Sequence, residues 1–167
     1  MARTFRGEFN QKVDTKGRVS IPAPFRRVLE AGDPDWTEGL RPRFVIVYGD
    51  ERRKFLECFT ISAMREVEEQ IARLPRGTPR RRLLERVMIT LSHTCEVDED
   101  GRIVLPQKLR DKIALATEAV FAGALDTFQI WQPETYEAEL VQEAQAELEA
   151  LPEGADILSL LGDLPGA

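Results

Sequence analysis

Residues 13–29 read VDTKGRVSIPAPFRRVL, and residues 97–113 read VDEDGRIVLPQKLRDKI. Six of the seventeen positions are identical: Val13/Val97, Asp14/Asp98, Gly17/Gly101, Arg18/Arg102, Pro22/Pro106 and Arg26/Arg110. Four more exchange one apolar residue for another: Val19/Ile103, Ile21/Leu105, Phe25/Leu109 and Leu29/Ile113. The offset is 84 residues. Phe44–Tyr48 and Phe55–Phe59 have weaker counterparts in 119–123 and 128–131, at an offset shorter by about a dozen, because Gly32–Arg43 reads as a loop inserted in the first copy. Two copies are too few for a solenoid and suit two similar halves packed as a pseudo-dimer.

Each copy has the same grammar. Phe5, Phe9 and Val13 mark a first strand, and Thr15-Lys16-Gly17 is a turn for which Gly17 supplies backbone freedom. Arg18–Ile21 alternates polar and apolar, as a half-buried strand does. Pro22 ends it, and Pro24 suits the first turn of a short helix over 24–30. Phe44–Tyr48 and Phe55–Phe59 flank Gly49–Arg53 as a hairpin. In the second copy Asp98-Glu99-Asp100-Gly101 is the turn and Leu125-Asp126-Thr127 the later hairpin.

The chain divides by this reading into a first half over 5–60, a helical connector over 61–90, a second half over 91–134, and an acidic helix and tail over 135–167. In the connector, Ile61, Met64, Val67, Ile71 and Leu74 form one stripe of an amphipathic helix. Residues 75–79 break it, and a second helix from Arg80 is expected to bury Leu83, Leu84 and Val87. Tyr136, Leu140, Ala144, Leu148 and Leu151 form a last stripe before Pro152. Ile157–Leu161 is an apolar patch, exposed unless it docks; a disordered tail is one reading of it and docking on a neighbouring subunit the other. The expected class is α+β, mainly β with helices.

The net charge of −6 argues at first against a nucleic-acid partner. Its distribution argues the reverse. From Glu134 onward there are nine acidic residues and no Lys or Arg, so the remainder carries a net +3. The first 27 residues hold seven basic residues against Glu8 and Asp14. No run of eighteen apolar residues exists, and no apolar stretch follows the basic N-terminal residues, so neither a spanning helix nor a secretory signal is expected. Two cysteines, Cys58 and Cys95, make no disulfide framework, which fits a reducing cytoplasm.

The pattern Asp-x-x-Gly-Arg, then apolar-x-apolar-Pro, then a basic short helix, resembles the SpoVT-AbrB family. The double occurrence, with Phe5-Arg6-Gly7 leading, resembles the tandem members of that family over about residues 5–131. The resemblance implies two swapped-hairpin halves forming a pseudo-symmetric double-split β-barrel. It also implies ring-like homo-oligomers and binding of double-stranded DNA at short direct repeats upstream of the division and cell-wall gene cluster. Repression of that promoter, which includes the protein's own gene, and residence in the cytoplasm at the nucleoid complete the expectation.

The residues carry a physical reading of their own. The first turn lifts Arg18 to a strand edge, where a guanidinium can fork to a guanine or a phosphate, and Lys16 acts as a point charge on phosphate. Arg3, Arg6 and Lys12 are candidates for phosphate contacts that set register, with plain solvated surface as the alternative. Asp14 is expected to accept hydrogen bonds from Arg18 or the turn amides, and a simple strand-tacking ion pair is the other reading of Asp14 and Arg18. Asp98, Gly17 and Gly101 are assigned to the architecture of the turns. In the second copy Thr15 and Lys16 become Glu99 and Asp100, so three carboxylates surround Arg102. Arg102 is therefore expected as a structural ion-pair partner, with DNA contact confined to the first copy.

An enzyme is not expected. His93 and Cys95 lie close in sequence, but a catalytic zinc normally takes three protein ligands and no further His or Cys stands nearby. His93-Thr94-Cys95 reads instead as a strand with Cys95 buried. Asp98-Glu99-Asp100 lacks the ligand spacing of a calcium loop. No cofactor, metal, membrane or small-molecule substrate is expected. The rival is an antitoxin-like SpoVT-AbrB protein whose main partner is another protein.

Overall fold

The computed structural model describes residues 4–163. The chain forms two compact units, one running to Pro133 and one starting at Glu134. The first is α+β. Its eight strands are β1 (Glu8–Lys12), β2 (Arg18–Ser20), β3 (Arg43–Val47), β4 (Phe55–Thr60), β5 (Ser92–Glu96), β6 (Arg102–Val104), β7 (Glu118–Ala124) and β8 (Thr127–Trp131). Six of them make an antiparallel sheet in the order β1-β7-β8-β4-β3-β5, while β2 and β6 pair as a separate two-stranded ribbon. β1 turns into β2 and β5 into β6, so the ribbon joins the two outer strands of the sheet.

The duplication explains this order. By repeat position β1 corresponds to β5, β2 to β6, β3 to β7 and β4 to β8. Strands of one copy pair with strands of the other in β1–β7, β5–β3, β2–β6 and β4–β8. Only the β3–β4 and β7–β8 hairpins stay within a copy. The two copies thus interleave in one sheet.

They also share one core. Pro22 and Pro106 precede α1 (Ala23–Ala31) and α4 (Gln107–Lys112), and their apolar positions turn inward: Phe25, Val28 and Leu29 from one, Leu109 from the other. The fully buried Phe128 has ring centroids 5.0, 5.1, 5.6 and 5.9 Å from Phe5, Phe25, Phe44 and Phe121, respectively. Three of those rings come from the first copy. Cys58 and Cys95 face the same core from β4 and β5. Burial pushes the Cys58 thiol well up, and desolvation pushes that of Cys95 up to about 12. Neither is a thiolate at neutral pH, so a thiol reagent should label the native chain about a hundredfold more slowly than the unfolded chain. Equal rates in the two states would show that these strands open freely.

The inserted loop is built around Asp33, a buried carboxylate that accepts the backbone N–H of Asp35 at 3.0 Å and of Arg43 at 2.9 Å. The connector consists of α2 (Ile61–Ala72), capped by Thr60 accepting from the Ala63 N–H, then α3 (Pro79–Leu84), which passes into a π-helical turn over Glu85–Thr90. Ile61, Met64 and Ile71 of the expected stripe are buried. Leu83 corrects the expectation for the second helix: it is 64% exposed, because α3 turns Arg81 inward. There Arg81 donates to the Leu74 carbonyl at 2.8 Å and pairs with Glu85, while position 83 points to solvent.

The second unit contains α5 (Pro133–Thr135, whose first residue closes the first unit), a π-helical turn over Tyr136–Val141, α6 (Gln142–Ala150) and a 3-10 helix over Ile157–Asp163. Among the described residues its helices bury none, and Ile157, Leu158, Leu160 and Leu161 are exposed. Among the described residues no helix is long and apolar enough to cross a membrane.

Candidate nucleic-acid interface

The two motif turns have the same backbone. Asp14 Oδ1 accepts the N–H of Lys16 and of Arg18, both at 2.9 Å, and Asp98 Oδ1 accepts the N–H of Asp100 and of Arg102 at the same distance. Gly17 and Gly101 donate back to the Asp14 and Asp98 carbonyls at 3.0 Å. The aspartate is what closes each turn, since a short side chain two residues before an amide can accept from it directly.

Each glycine sits at positive φ, +84° for Gly17 and +78° for Gly101, and each is covered by the other copy. A Cβ on Gly17 would meet the Leu105 carbonyl oxygen and, at 2.8 Å, the Nε of Arg110; a Cβ on Gly101 would meet the guanidinium of Arg26. The repeated Arg26 and Arg110 therefore support the turns from behind. Gly17→Ala is expected to cost about 2–3 kcal/mol and Gly101→Ala about 1–2, because a backbone carbonyl cannot move aside whereas the end of an arginine can. Denaturant titration of the two variants checks the order; a reversed order would refute this reading of the turns.

The copies differ in their guanidinium groups. Arg18 Nε donates to Asp14 Oδ2 at 2.7 Å across partly exposed side chains. The backbone and side-chain hydrogen bonds from Arg18 hold the Asp14 carboxyl below its ordinary range. Arg102 is a correction to the sequence reading: among the described residues no carboxylate lies within ion-pair distance of its guanidinium. The expected partners are placed elsewhere. Asp98 faces the turn amides, and Glu99 is taken by Arg41 of the inserted loop in a two-point fork, Nε–Oε1 and Nη2–Oε2 both at 2.8 Å. That fork lowers the Glu99 pKa and raises that of Arg41.

The ribbon register brings the arginines together. Arg18 lies opposite Val104 and Ser20 opposite Arg102, while Val19 and Ile103 between them are buried. Arg18, Ser20, Arg102 and Val104 thus share the outer face, with the arginines as diagonal neighbours about 7–8 Å apart at Cα. Lys12, Asp14, Arg18, Ser20, Arg102 and Thr117 line one shallow groove, and Arg102 also borders a second with Arg41, Arg43 and His93. Lys16 is exposed at the tip of the first turn. Arg6 is not brought there: it precedes β1 at the end away from Lys12, about 20 Å along the strand. Arg3 lies outside the described residues.

Sequence reading missed Ser20 and the free guanidinium of Arg102; the antiparallel register that aligns them depends on two segments 84 residues apart. It also passed over the arginines of residues 73–86, six against the single Glu85, which a windowed charge count would have found.

Comparison with known proteins agrees with the duplicated architecture. The family model for MraZ protein matches twice, over residues 4–87 and 88–156. A protein of Ruegeria pomeroyi named transcriptional regulator MraZ is 57% identical over 167 residues, covering all of both chains. One of the same name from Cereibacter sphaeroides is 58% identical over 168 residues, covering 96% of this chain and 97% of its own. A more distant one from Parvibaculum lavamentivorans is 36% identical over 140 residues, covering 83% and 82%. With both copies matched and the likeness running the full length, the chain belongs to the MraZ family.

Proposed function

We propose that this chain is a sequence-specific DNA-binding transcriptional regulator that presents the β2–β6 ribbon to the major groove. The observation that carries the reading is the outer face of that ribbon, where Arg18 and Arg102 stand side by side with Ser20 between the turns. A B-DNA major groove admits a two-stranded β-ribbon, and arginine forking to guanine is the commonest specific base contact. Lys12 and Lys16 flank the ribbon and contact phosphates, which orient the protein without reading sequence. The names of the relatives support the same reading.

The finer reading is repression. An oligomer, a ring in the arrangement we favour, engages short direct repeats upstream of the division and cell-wall genes in the nucleoid and shuts down that promoter, its own included. One ribbon offers few contacts, and linking several raises avidity by roughly a hundredfold or more when the spacing of the repeats fits. The second copy contributes Arg102 to the same face, with Glu99 held away on Arg41.

The test is a selection of bound fragments from genomic DNA, followed by gel shifts at several salt concentrations. Enrichment of repeated short motifs is expected, with log affinity falling by about 0.9 per phosphate contact for each tenfold rise in salt. Failure to enrich any sequence, or affinity indifferent to salt, would end the proposal.

A further inference from the structure

The helical connector carries a charge that the ribbon does not use. Arg73, Arg76, Arg80, Arg82 and Arg86 are all exposed, and among the described residues none of them has an ion-pair partner; Arg81 is engaged on Glu85 and the Leu74 carbonyl, and Arg65, earlier in the connector, on Asp35. In the midst of them stands Leu83, 64% exposed. Positions 80, 83 and 86 are three apart, so Arg80 and Arg86 flank Leu83 on one outward strip of α3 and the turn after it. The connector arginines line neither groove on the ribbon.

The end of the chain has the opposite character. From Glu134 it holds nine acidic residues and no basic one. Glu143 and Glu147, one turn apart, are exposed on α6. Beyond them Ile157, Leu158, Leu160 and Leu161 are 54–65% exposed. Contiguous exposed apolar groups mark interaction sites, and the four of the tail form such a group, while the single Leu83 offers them an apolar spot among arginines.

We propose that the acidic, leucine-bearing C-terminal segment of a second copy docks on the Arg80–Leu83–Arg86 strip of the connector. Opposite charge steers the encounter, and the leucines of the tail cover Leu83. A nucleic acid would satisfy the arginines but leave Leu83 uncovered, which is why a protein partner fits better. Each chain carries one strip and one tail, so the contact is heterologous, and repeated around an axis it closes a ring or extends a filament. This interface is separate from the ribbon, and Arg18 is untouched by its test.

The test uses the full chain at micromolar concentration, by light scattering. R80E/R86E and E143R/E147R should each lower the weight-average mass about twofold or more, and the two combined in one chain should restore it, as expected for paired opposite charges. Circular dichroism checks the fold, and Leu83→Ser, at an exposed position, should lower the mass as well if charge reversal disturbs α3. A parent chain that is monomeric would overturn the proposal. So would R80E/R86E and L83S of unchanged mass, which places the tail on its own chain or on nothing, or a combined variant that does not reassemble. A folded R80E/R86E of unchanged mass that has lost affinity for a duplex without the operator would assign the strip to nucleic acid instead.

Discussion

Arg18→Ala should abolish specific retention of the operator, with a loss of about a hundredfold or more, while the melting temperature and the assembly mass stay where they were. A good bidentate arginine–guanine pair discriminates by about 1–3 kcal/mol, and the loss multiplies across the ribbons of one assembly. The fold has little stake in this side chain: among the described residues its guanidinium pairs with Asp14 alone, and an exposed ion pair contributes about 0–1 kcal/mol. Asp14 keeps its amide hydrogen bonds in the variant, so the turn stays closed. Arg102→Ala should weaken the same complex by about tenfold, again with an unchanged melt, since among the described residues its guanidinium has no ion pair to lose. Ser20→Ala should sit between these and the parent. If Arg18→Ala binds operator as tightly as the parent, the ribbon is not the reading surface. If Arg102→Ala melts early while binding normally, its role is structural after all.

The repeat was the most legible feature of the sequence because it is written in turn chemistry. An aspartate three residues before a glycine, with an arginine directly after, specifies a local hydrogen-bond pattern in both copies, and the short helices follow from Pro22, Pro24 and Pro106. What the sequence conceals is partnership between residues far apart. The placing of Glu99 depends on Arg41, 58 residues away, whose position depends in turn on the loop organised by the buried Asp33. Charge counting along the chain put three carboxylates around Arg102; in space one faces amides and another is consumed by that distant arginine. Leu83 was misplaced for a related reason. Nothing local to positions 83, 84 and 87 tells that Arg81, rather than a leucine, turns toward the preceding loop. The strand pairing between copies follows from the duplication only once the swap is known, since hairpin signals alone favour neighbours in sequence.

Phe128→Ala should be the most destabilising single change in the molecule, at about 3–5 kcal/mol, a large part of the roughly 5–15 kcal/mol that holds a domain of this kind together. The ring is fully buried and lies within 6 Å, centroid to centroid, of four other phenylalanines. Truncation leaves a cavity whose walls are three rings of the first copy and one of the second, and β-strands paired on both sides of β8 cannot collapse into it without breaking register. Phe55→Ala provides the contrast. That ring is half-buried, stacked on Trp131 at 4.7 Å with the Arg53 guanidinium 5.4 Å from its centroid, and water can fill its place, so its loss should cost under about 2 kcal/mol. Because the copies exchange strands, the damage at Phe128 should not stay on its own side. Hydrogen exchange in β3 and in β8 should accelerate together, in one cooperative transition. A melt in two steps, with the second copy opening while β3 remains protected, would contradict the shared core on which the ribbon and both of its arginines rest.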